Sequence, residues 1–149
     1  MQVKENSFLV TGGASGLGES VARAIVEQGG NVVIADLNET AGQSLVTELG
    51  DSARFVRCDI TNGDEVQSAV EMAESAFGGL QGSINCAGIV VVQKLLDRDN
   101  NPADLEAFSL GVNINLVGSF NVARLVAASI AKRITNDSSA EKSNQEKNI

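Results

Sequence analysis

Short apolar runs alternate with amphipathic stretches along most of this chain. Phe8-Leu9-Val10 opens the pattern as a strand, and Leu17, Val21, Ala24 and Ile25 then recur at helical spacing. Residues 31–36, NVVIAD, are apolar on both faces, as in a parallel strand covered on both sides. A helix is predicted over 39–50, stopped by Gly50. Ala53-Arg54-Phe55-Val56-Arg57 reads as a third strand. Thr61 or Asn62 caps a further helix with Val66, Ala69, Val70, Ala73 and Phe77 on one face, ended by Gly78-Gly79. Leu80 to Asn85 is a fourth strand, weakened by Gly82 and Ser83. Residues 89–102 read as a loop. From about Ala103 a long helical pattern runs to Arg133 through Leu105, Phe108, Val112, Leu116, Phe120 and Ile130, interrupted by Asn113 and Asn115. The polar stretch 135–149 is expected to be a linker or disordered end, so the domain is placed at 1–134.

Strands and helices alternate without hairpin signals between strands. That predicts an α/β fold of the Rossmann type: a parallel, right-handed, doubly wound sheet that binds ligand at its carboxyl edge.

Composition narrows the chemistry. The 149 residues are one domain's worth, 43% apolar but only 3% aromatic, so the core is built from aliphatic side chains. There is no His, Trp or Tyr, which removes the commonest general base and metal ligand. No metal site is expected. A net charge of −8 speaks against nonspecific binding to nucleic acid or anionic membranes. No long uninterrupted apolar run is present, so no transmembrane helix is expected, and the N-terminus does not read as a signal peptide. Cys58 and Cys86 lack metal spacing and read as buried or half-buried thiols, consistent with a cytoplasmic setting.

The stretch FLVTGGASGLG carries the clearest chemistry. A strand, a turn with Gly12, Gly16 and Gly18, then a helix offers backbone N–H groups and a positive helix end to a pyrophosphate. Asp36 follows the second strand, roughly 20 residues beyond that turn, where a carboxylate accepts hydrogen bonds from ribose hydroxyls. A plain turn or cap role for Asp36 is the alternative. No basic residue follows it closely to neutralise a 2′-phosphate, which favours NAD over NADP. Asp59 and the small-residue turn Asn85-Cys86-Ala87-Gly88 fall at the carboxyl ends of the third and fourth strands.

With these motifs in view, the chain resembles the N-terminal half of the short-chain dehydrogenase/reductase family. Thr11-Gly12-x-x-x-Gly16-x-Gly18, Asp36, Asp59, Asn85-Cys86-Ala87-Gly88 and Asn115-Leu116-Val117-Gly118 match family motifs in order. The wording TGGASGLG, CDIT, INCAGI and NLVGSFNV is most similar to the type 2 3-hydroxyacyl-CoA dehydrogenase branch. The resemblance implies strand order 3-2-1-4, NAD as cofactor, and hydride transfer with a secondary alcohol or ketone such as a 3-hydroxyacyl-CoA. It implies that Ser15 and Leu17 contact the phosphates, Asp36 with Leu37 the adenosine ribose, and Asp59 with Ile60 the adenine. Asn85, Cys86, Ala87 and Gly88 would line the path to the nicotinamide. Asn115 matches the Asn of the catalytic tetrad and would bend its helix locally. The tetrad's Ser and Tyr-x-x-x-Lys are not matched, so a truncated, inactive form that self-associates is expected, from a family of homo-oligomers with small-molecule substrates. A non-catalytic nucleotide-binding or interaction module on the same fold is the alternative.

Overall fold

The computed structural model describes residues 2–146. Its elements are strand β1 (Ser7–Thr11), helix α1 (Gly16–Glu27), β2 (Asn31–Asp36), α2 (Glu39–Leu49), β3 (Ala53–Arg57), α3 (Gly63–Phe77), β4 (Gly82–Asn85), α4 (Leu105–Val112), a π-helical segment (Asn113–Gly118) and α5 (Ser119–Glu146). The four strands form one parallel sheet in the order β3-β2-β1-β4.

Alternation along the strands divides the core between the two faces of the sheet. Phe8, Val10, Val32 and Ile34 point to one face and pack with Ala22 and Ile25 of α1 and Leu45 of α2. Leu9, Val33 and Ala35 point to the other, against Val66, Ala69, Val70 and Ala73 of α3 and Val122 and Val126 of α5. β1 and β2 are therefore buried on both sides, which explains their nearly continuous apolar character. β4 is shorter than the predicted strand, beginning at Gly82, and is only half-buried. Leu80, outside the strand, is fully buried.

Helix starts follow local capping. The Asn38 side chain accepts from the Ala41 amide at the head of α2. Asn62, rather than Thr61, caps α3 by accepting from the Asp64 and Glu65 amides.

Two expectations are corrected. Helical backbone continues to Glu146, across the polar stretch expected to be a linker or disordered end. No Gly or Pro interrupts residues 119–146, so nothing in the local chemistry stops the helix at Arg133. Second, the joined helix Leu105–Asn136 is long and apolar enough, by length and composition only, to cross a membrane. Its most apolar window has mean hydropathy 1.4 despite interspersed Asn, Ser and Gly, which an uninterrupted-run criterion misses. Only 22% of that window is buried, because α5 packs one face on the sheet and leaves the other open.

Candidate functional site

The register puts the strand ends level. Thr11 pairs with Ala35 of β2 and Asn85 of β4, so the chain leaves the central strand between two neighbours that also end there. The β1–α1 and β4 turns rise side by side at this carboxyl edge. There, the β1–α1 connection runs on one side of the sheet and the β4 connection on the other, the crevice where open α/β sheets hold ligands.

Gly12 makes that crevice possible. Its φ is +61°, and a Cβ on it would stand 2.7 Å from the backbone of Ala87. The two turns thus meet through main chain, tied by the Cys86 amide donating to the Thr11 carbonyl at 3.0 Å. Gly18 lets the first turn of α1 close onto the Gly12 carbonyl, which leaves no room for a side chain. Ser15, Gly16 and Leu17 at the start of α1 are exposed to the crevice rim.

A cavity of about 470 Å³ lies here. Its walls bring together Gly12, Ser15, Gly16, Leu17 and Gly18 from the glycine turn and Asp36 and Leu37 from the end of β2. Asp59 and Ile60 from the end of β3, and Cys86, Ala87 and Gly88 from the β4 turn, complete the set. Two predicted site residues stand outside the wall. Asn85 is exposed, and its Nδ2 donates to the Ser119 carbonyl at 3.4 Å. Asn115 is exposed as well: its Oδ1 accepts from the Ile89 amide and its Nδ2 donates to the Ile89 carbonyl, both at 2.8 Å. Asn115 sits within the π-helical segment, so the helix is locally rewound where the resemblance places a bend.

Ala35, Cys58, Ile89 and Ile114 also line the cavity. The first two adjoin predicted site residues at strand ends, a signal that was available. Ile89 is held by the Asn115 clamp, which no local pattern announces, and Ile114 comes from the π-helical segment beside it.

The two carboxylates at the edge are organised before any ligand arrives. Asp36 Oδ2 accepts from the Ala14 amide at 3.0 Å and Oδ1 from the Asn38 amide at 2.9 Å. The same carboxylate therefore fixes the glycine turn and its own turn, and the cap role and a ligand role are not exclusive, since a carboxylate has about four acceptor positions. Asp59 Oδ1 accepts from the Thr61 hydroxyl at 2.7 Å and the Thr61 amide at 2.9 Å. Those bonds, the hydroxyl's first, hold the Asp59 carboxyl below the usual carboxylate range. Beside it, burial pushes the Cys58 thiol up to about 12, with Glu65 and Asp59 adding to the effect. Cys58 is thus a neutral apolar wall and not a nucleophile at neutral pH.

A doubly wound parallel sheet with a glycine turn and a carboxylate at its switch point defines a fold of the Rossmann type. The chain belongs to the short chain dehydrogenase family, whose model matches residues 6–139. It is 43% identical over 126 residues to 3-hydroxyacyl-CoA dehydrogenase type-2 of Drosophila melanogaster, covering 84% of this chain and 49% of that protein. It is 41% identical over 131 residues to the Bos taurus protein of the same name, covering 87% of this chain and 50% of that one. The crystal structure of 3-hydroxyacyl-CoA dehydrogenase type-2 from Mycobacterium avium matches with a TM-score of 0.81 at 41% identity, covering 88% of this chain and 52% of that one. The chain spans about half the length of these relatives.

Proposed function

We propose that this chain supplies the NAD-binding half of a dehydrogenase that interconverts a secondary alcohol and its ketone, with a 3-hydroxyacyl-CoA as the substrate class. The observation that carries the reading is the crevice between the β1 and β4 turns, with the Asp36 carboxylate at its β2 side. Main-chain amides at the start of α1 suit a pyrophosphate. A Cβ at Gly16 would project into open space, as a backbone cradle for phosphates requires. Asp36 accepts the adenosine ribose hydroxyls. Asp59, held ionised with Oδ1 committed to Thr61, offers Oδ2 to the adenine amine, while Ile60 packs on the ring. Cys86, Ala87 and Gly88 form the wall leading towards the nicotinamide. The substrate class rests on the names of the relatives above.

The nicotinamide supplies the hydride chemistry when bound. These 149 residues contain no tyrosine to deliver a proton to a substrate oxygen, so on their own they bind without turning over. Asn115 keeps Ile89 in place and thereby shapes the nicotinamide end of the wall.

Titration calorimetry tests the reading. NAD is expected to bind at least about tenfold more tightly than NADP, because a 2′-phosphate beside Asp36 is a like-charge contact costing about 1.4 kcal/mol or more. Asp36→Ser combined with Leu37→Arg is expected to narrow that ratio. Equal binding of the two cofactors by the unaltered chain would overturn the role of Asp36. Robust NAD reduction with 3-hydroxyacyl-CoAs by the pure 149-residue polypeptide would overturn the binding-only reading.

A further inference from the structure

Asn121 is a carboxamide on the buried face of α5, only 7% exposed, where the flanking buried residues are Val122 and Val126. A polar side chain in such a place costs stability unless fully paired. Its pairing is specific. Nδ2 donates to the Ile60 carbonyl at 2.8 Å. Oδ1 accepts from Arg124 Nε at 3.0 Å and from Arg124 Nη2 at 2.6 Å. A guanidinium can only donate, so Arg124 fixes which end of the amide faces it and aims the NH2 group at Ile60. Gly118, one turn earlier, leaves room for the same residue: a Cβ there would come within 2.7 Å of the Ile60 side chain.

From this geometry we infer that Asn121 is a positioning residue for adenine recognition, acting through Ile60 on the loop that carries Asp59. The inference rests on the proposed nucleotide site and deepens it. The Cys58 amide donates to the Asp36 carbonyl at 3.0 Å and ties the start of that loop to β2, while beyond it the bonds are local: the Asn62 amide donates to the Asp59 carbonyl, the Asp59 amide donates to Glu65, and the Asp59 carboxylate holds Thr61. Together they set the loop's internal shape. The bond from Asn121 fixes where that shape stands relative to the helix layer across the sheet, and so where Ile60 and Asp59 meet a base. A leucine at 121 would satisfy the core, but it would leave the Ile60 carbonyl without this donor.

The test compares NAD with nicotinamide hypoxanthine dinucleotide, which carries a carbonyl where adenine has its amine. Asp59 favours the amine and repels the carbonyl, so the unaltered chain prefers NAD. Asn121→Leu removes all three bonds. Asn121→Asp keeps an acceptor for Arg124 and loses the donor to Ile60, with little change in volume. Both variants are expected to bind NAD about fivefold more weakly, with the hypoxanthine analogue changed less than about twofold. Amide hydrogen exchange over residues 58–62 of the unliganded variants is expected to rise by a similar factor. Equal weakening of both dinucleotides, or unchanged exchange in that loop, would overturn the inference and leave Asn121 a merely structural residue. If the unaltered chain binds neither dinucleotide, the proposed function falls, and the exchange measurement alone decides whether Asn121 holds the loop.

Discussion

The Asp36 carboxylate accepts from the Ala14 amide of the glycine turn and from the Asn38 amide before a ligand is present. Substituting it therefore removes a strut of the phosphate turn together with a ribose acceptor. A variant designed only to change cofactor preference also pays in turn order, and its affinity for both cofactors is expected to fall. Cys58 is a different case, because its position at the cavity wall suggests reactivity that its environment removes. Burial raises its pKa from 9.0 to about 12, so the folded protein holds this proton more tightly than the unfolded chain. The resulting contribution to stability is fully present below about pH 9 and is lost as pH rises towards 12. Urea midpoints of the unaltered chain are expected to fall across that window more steeply than those of Cys58→Ala. Parallel pH profiles for the two proteins would show that the thiol carries no such linkage.

Among the elements, the strands were the most legible. β2 and β3 have the boundaries their apolar runs predict, and the order 3-2-1-4 followed from the family resemblance. Burial on both faces leaves a continuous apolar record in β2, while the half-buried β3 is marked by Phe55 and Val56 between two arginines. The glycine turn and the acids at strand ends were likewise legible, since their spacing is set by the strand–turn–helix unit itself. What escaped was held by long-range bonds. The Asn121 to Ile60 bond spans 61 positions of chain, and no periodicity encodes it. The Asn115 clamp on Ile89 is of the same kind, although Asn115 itself stood out as an amide among apolar residues. The π-helical segment makes that clamp a property of the element as much as of the residue. Asn115→Ala deletes both bonds to Ile89, and the Ile89 amide is expected to exchange about fivefold faster or more. Residues 58–62, held by Asn121 at the start of α5, are expected to keep their protection. Loss of protection in both places would mean that the helix moves as one body and that the two clamps are not independent.

For the molecule as a whole, the uneven distribution of apolar surface dominates. Leu105, Phe108, Leu116, Val117 and Phe120 on the helix, and Val90, Val92 and Leu95 on the preceding loop, are all exposed. β4 is hydrogen-bonded to β1 alone among the described residues, so its other edge is unpaired. Exposed apolar patches and open strand edges both promote association between chains. The net charge of −8 opposes it, and salt screens that repulsion. Sedimentation velocity is expected to show dimers or larger species, increasing when sodium chloride is raised from about 0.05 M to about 0.5 M. A monomer at both salt concentrations would show that the apolar face is tolerated in water.

The contact between Gly12 and Ala87 has a consequence for how such a site changes over generations. Where two turns meet main chain to main chain, no side chain stands between them that selection could enlarge, shrink or recharge. The floor of the crevice is therefore inherited as a unit, tolerant only of substitutions that leave its backbone alone. Diversification is confined to the rim, at the exposed Ser15, Leu17 and Leu37, where a side chain can be exchanged without moving a strand. Descendants of this sequence can acquire new ligands quickly at those positions while the floor stays fixed.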